Sequence, residues 1–100
     1  MSTAKPTIDK PQSRRIRVLI RHVLLEVWDP IGVKDEPFAQ DEYDGYIGEL
    51  YELLVSHAED TQLIDYLHWA VHDRMGLDAA TRSDMEPTVE ALRKIPVTPE

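Results

Sequence analysis

The strongest constraint on this chain is a helix stop at Trp28-Asp29-Pro30-Ile31-Gly32, placed directly after its most apolar helical segment. A proline cannot continue a helix, and it bars the residue before it from the helical region. Asp29 is therefore expected to be extended or in a turn. Gly32 allows a backbone conformation that a side chain would forbid. Whatever precedes this corner must pack against whatever follows it.

Before the corner, Ser13 is a suitable N-cap and the periodicity predicts a first helix over 14–28. Ile16, Leu19, Ile20, Val23 and Val27 fall on one stripe, with Leu24 beside it, and form the expected core face. Val18, Leu25 and Trp28 form a second apolar group nearly opposite, flanked by Arg14, Arg17 and Arg21. A helix apolar on two sides is central in a bundle or covers a partner. In so small a domain the central position is the expected one. Ile31 and Val33 are expected to tuck beneath the bundle.

After the corner, Asp41 is a suitable N-cap for a second helix over 41–56, and Glu42 and Asp44 suit the positive end of its dipole. Tyr43, Ile47, Leu50 and Leu54 recur at helical spacing. Gly45 and Gly48 are unfavourable inside a helix. Either the first turn is irregular or another backbone packs closely there, and the irregular turn is the better reading. Asp60 is the expected cap of a third helix over 61–75, whose stripe is Leu63, Ile64, Leu67, Ala70, Val71 and Arg74, with Gly76 as its C′ residue. Pro87, with Met85, Val89, Leu92 and Ile95 at helical spacing, predicts a short fourth helix over 87–95 that docks on the bundle, frays, or docks on another subunit.

The expected fold is thus all-α, a three-helix core with a short C-terminal fourth helix. Residues 1–12 and 96–100 are expected to be flexible tails around a single domain over 13–95. The chain has 100 residues, 42% apolar and 30% charged, which is the balance of a globular domain. It lacks cysteine, so disulfides, thiolate metal sites and cysteine nucleophiles are excluded. The first residues are not followed by an apolar h-region, so a secretory leader is not expected, and no apolar run approaches the roughly 20 residues of a membrane span. A cytoplasmic protein with no membrane contact is expected.

Charge narrows the function. Residues 1–40 carry a net +2 and residues 41–100 a net −10, giving −8 in all. From Asp35 to Glu52 there are seven acids and no base. That surface repels phosphate backbones, so nucleic-acid binding is not expected. It attracts and steers a basic protein. The candidate partner-binding residues are Asp35, Glu36, Asp41, Glu42, Tyr43, Asp44, Tyr46, Glu49 and Glu52, with Tyr51 nearby. The plain alternative is an acidic surface that serves solubility, with the tyrosines at the core edge.

Chemistry is sparse. Asp65, His68 and His72 have metal-ligand spacing on one helix face, but the motif lacks the glutamate of a zinc protease, and a fourth ligand would have to come from His22 or His57. A solvated face is the simpler reading, and no cofactor is expected. Asp41, Tyr43 and Gly45 do not meet the register of a calcium loop. Asp29 is a carboxylate without a visible catalytic partner and is expected to bond the backbone of its own turn, or to pair with Arg17 or Arg21. Phosphate-binding glycine loops are absent. Trp28, Asp29, Pro30 and Gly32 therefore read as a structural corner, and the chain as a non-enzymatic protein-binding module, with a metal-binding protein and a structural oligomer (a homodimer, for example) as alternatives.

The order of an apolar helix, Trp28-Asp29-Pro30-Ile31-Gly32, Asp41-Glu42-Tyr43-Asp44, a helix with Tyr51, and a helix ending Arg74-Met75-Gly76-Leu77 resembles a family of small bacterial helical proteins of unknown function. The resemblance spans about residues 16–77. It implies a compact α-helical domain in a bacterial cytoplasm and brings no catalytic residues. In size and acidity the chain is also similar to immunity proteins that neutralise bacterial toxins, which implies a basic toxin as the partner.

Overall fold

A computed structural model describes residues 8–97. The terminal stretches 1–7 and 98–100, part of the expected tails, lie outside the described residues. Four helices are present, α1 (Lys10–Val23), α2 (Ile47–Val55), α3 (Asp60–Trp69) and α4 (Glu86–Arg93), and no strand occurs among the described residues. The all-α expectation holds.

The first helix starts earlier than Ser13. Asp9 is its N-cap, with a carboxylate oxygen that accepts the Gln12 N–H at 2.9 Å. Pro11 then sits in the first turn, where its missing N–H costs nothing. Read alone, that proline suggests a tail.

Both long helices end in a π turn, Leu24–Trp28 after α1 and Ala70–Arg74 after α3. In the first, the Asp29 N–H reaches back five residues to the Leu24 carbonyl at 2.8 Å. In the second, the Met75 N–H reaches the Ala70 carbonyl at 3.0 Å. A wide turn moves the buried face by one residue. In an unbroken α-helix Val27, seven residues after Ile20, would return to the core. Instead Val27 is 45% exposed, and Trp28 and Leu25 are buried. The expected second apolar side of helix one therefore does not exist as such. Leu25 and Trp28 join the core with Ile16, Ile20, Val23 and Leu24, while Val18 stays outside. Leu19, roughly 100° round from Ile20, is at the stripe's edge and is exposed rather than buried.

The chain enters α2 through a 3-10 turn, Asp44–Tyr46. Asp41 is not the cap. Nothing lies within 4 Å of a Cβ built on Gly45 or Gly48, so neither marks a close backbone approach; Gly45 lies in the irregular turn and Gly48 in the first turn of α2 itself. A Schellman-type stop ends α2: the Ala58 N–H bonds the Leu53 carbonyl and the His57 N–H that of Leu54. His57 takes the left-handed position there, at φ 58°. Glu59, not Asp60, caps α3, and its N–H is accepted by the Gln62 side chain at 3.0 Å. Gly76 at φ 71° follows the π turn, as its C′ role requires.

The fourth helix docks on its own bundle. Met85, Thr88, Val89, Leu92 and Ile95 are buried against the others. Arg93 pins its end: Nε donates to Asp60 at 2.6 Å and Nη2 to the Ala58 carbonyl. Across the described residues, every buried side-chain polar atom has a hydrogen-bond partner.

Candidate protein-interaction surface

The corner is built around one carboxylate. Asp29 adopts φ 31°, ψ 56°, so it is left-handed and not extended. Aspartate tolerates that region better than most residues. Its Oδ1 accepts the Val33 N–H at 2.7 Å and the Tyr43 hydroxyl at 2.9 Å, and Oδ2 accepts the Lys34 N–H at 3.3 Å. The Tyr43 hydroxyl in turn accepts the Ile31 N–H at 3.1 Å. Burial acts to raise the Asp29 pKa, but the donors from Val33, Tyr43 and Lys34 outweigh it and hold the carboxyl below its ordinary value. Burial pushes the Tyr43 phenol well above its ordinary value, and its bond to the Asp29 charge adds to this against the Ile31 donor. Asp29 thus bonds the backbone of its own turn, and neither Arg17 nor Arg21 is its partner.

Tyr43 is a core residue, 1% exposed, so it is not a contact residue for a partner. Tyrosine among acids reads as surface, yet here the ring packs on Trp28, with centroids 5.3 Å apart. The Trp28 Nε1–H faces the Met85 sulfur at 3.4 Å. A row of rings continues from Trp28 to Tyr46, Tyr66 and Trp69, with centroid steps of 5.6, 6.4 and 5.6 Å. Tyr46 is half-buried in that row. Tyr51 is buried beneath Arg17, whose guanidinium lies 4.2 Å from the ring centre. Of the expected plug, Val33 packs on the core while Ile31 is 43% exposed.

Between corner and α2 the loop is a succession of tight turns. The Glu36, Ala39 and Glu42 N–H groups bond the Val33, Glu36 and Ala39 carbonyls. The Gln40 side chain donates to the Lys34 and Glu36 carbonyls, both at 2.9 Å. Asp35, Glu36, Asp41 and Glu42 are exposed on this loop, and Glu49 and Glu52 on α2. Asp44 is different. It takes a two-point ion pair from Arg21, with Nε to Oδ1 at 2.8 Å and a second bond from Nη2 to Oδ2, so it is occupied within the fold. The pair raises the Arg21 pKa, chiefly through that bond.

The residue that sequence reasoning missed is Phe38. The chain's one phenylalanine lies in the 3-10 turn Pro37–Ala39 and is 99% exposed. The signal was present: Lys34, Asp35, Asp41 and Glu42 stand three and four residues away, so a large ring had no apolar neighbour at helical spacing.

The histidine face is not assembled as a metal site. Asp65 pairs with Arg82, the His68 Nε2 lies 3.2 Å from the Ala80 carbonyl, and the His72 Nδ1 lies 2.7 Å from Asp73. No group of three His, Cys, Asp or Glu side chains among the described residues is placed to hold a metal ion.

The fold and the surface define a small helical bundle that displays an acidic loop with an aromatic tip. No family model, curated protein or solved structure matches the chain. Among the described residues, no helix is long and apolar enough to cross a membrane.

Proposed function

We propose that this protein is a non-enzymatic binding module whose acidic loop covers a cationic surface on another protein, as a small inhibitor or immunity protein covers a basic toxin. The observation that supports this is the fully exposed Phe38 set among Asp35, Glu36, Asp41 and Glu42. An exposed ring gives a contact anchor, and unpaired surface carboxylates give steering. The tight turns reduce the ordering cost of binding. A bacterial, cytoplasmic setting and kinship with small helical proteins carrying the Trp28–Gly32 and Asp41–Asp44 signature belong to the same proposal.

The test is capture from a lysate of the native host by the wild type and by an Asp35→Lys, Asp41→Lys, Glu42→Lys variant. Asp44 is left intact because it serves the fold. Capture of a basic protein by the wild type alone is expected, weakening as salt rises. Equal capture of that protein by the reversed variant would sink the proposal.

A further inference from the structure

Two runs of opposite sign lie on this one chain. From Lys10 to Leu25 there are five basic side chains and no acid, whereas from Asp35 to Glu52 there are seven acids and no base. On the outer side of α1, Pro11, Arg14, Arg15, Val18 and Leu19 line an open groove of about 300 Å³. Val18 is 62% exposed and Leu19 40%. The groove offers an apolar floor with two arginines at its rim. The acidic loop offers the reverse, an apolar tip with carboxylates around it. Aromatic rings are favourable to bury, and a charged rim fixes which ring enters.

We propose that Phe38 of one copy seats in the α1 groove of a second copy, with Asp35 and Glu36 against Arg14. This rests on the reading of the loop as a protein-binding surface and names a second copy as its occupant. One such contact leaves the groove of the first copy and the loop of the second unused and would run on into a chain, whereas reciprocal exchange closes a dimer. The net charge of −8 on each copy opposes approach at a distance. At physiological salt that repulsion is screened beyond about 8 Å, while pairs in contact persist.

Sedimentation over a concentration series tests this with the whole chain. The wild type is expected to pass from monomer to dimer. Phe38→Ala and Val18→Glu, both at exposed positions, are expected to keep the wild-type helical spectrum and melting temperature and to weaken dimerisation about tenfold or more. An equimolar mixture of the two variants retains one intact loop–groove contact and is expected to associate more strongly than either variant alone. A wild type that stays monomeric throughout, or a Phe38→Ala protein that dimerises like the wild type, overturns the proposal. The outcome is separable from that for a foreign partner. Val18→Glu lies on α1 and spares the loop, so capture of a basic protein by a wild type that does not dimerise overturns self-pairing alone.

Discussion

The Tyr43 hydroxyl donates to Oδ1 of Asp29 at 2.9 Å, tying the start of the second helix to the end of the first across fourteen residues. Tyr43→Phe removes that donor and leaves the Ile31 N–H without its acceptor. A loss of about 1–3 kcal/mol in denaturant unfolding is expected. An unchanged midpoint would show that the corner closes without this bond.

The same pair sets the pH response, at opposite ends of the scale. The Tyr43 pKa is raised from 10.0, so the folded state holds this proton more tightly than the unfolded chain. Its stabilising contribution is complete below about 10 and is lost as pH rises beyond it. Asp29 is lowered from 3.8, so its contribution is present above that value and is lost as pH falls below it. Melting curves across alkaline pH should fall less steeply for Tyr43→Phe than for the wild type, and acid melts should do the same for Asp29→Asn. Parallel curves would contradict both assignments.

The π turn makes a register prediction. Trp28→Ala should cost about 3–5 kcal/mol, as for a large core ring. Val27→Ala should stay within about 0.5 kcal/mol, as for a surface position. A continuous α-helix predicts a substantial cost at Val27, so the pair of variants decides between the two windings.

Two left-handed positions carry residues of opposite suitability. Gly76 has φ 71° with open space around it, so Gly76→Ala meets torsional strain alone and should cost about 1–2 kcal/mol. His57 has φ 58° without glycine's freedom, and His57→Gly should stabilise by up to about 1 kcal/mol. Thermal melts of the two variants should move in opposite directions.

Much of the architecture was legible because apolar period alone places helices. Ile16, Ile20, Leu63 and Leu67 fall where a 3.6-residue repeat puts them. The helix ends were harder. Asp9 and Ser13 are both favoured capping residues, and local chemistry does not rank them; at the third helix local chemistry favours Asp60, and Glu59 takes the cap because Gln62 at N3 completes the reciprocal box. The π turns were hidden for another reason. A one-residue shift of face is imposed by packing around Trp28, and Val27 satisfies the α-helical period equally well. The proposed interaction surface was half legible. The acids announce themselves, but Tyr43 is drawn inward by a carboxylate far along the chain. Asp44 is claimed by an arginine from another helix, and Phe38 was overlooked because a lone ring belongs to no stripe.

The aromatic row gives the molecule an optical gauge of its own corner. Trp28 is 8% exposed beneath the Met85 sulfur, while Trp69 is 43% exposed at the other end of the same row. One indole is shielded from a dissolved quencher and the other is open to it. Opening of the corner would unshield Trp28 and merge the two emissions, so quenching alone would report the corner's state without a label.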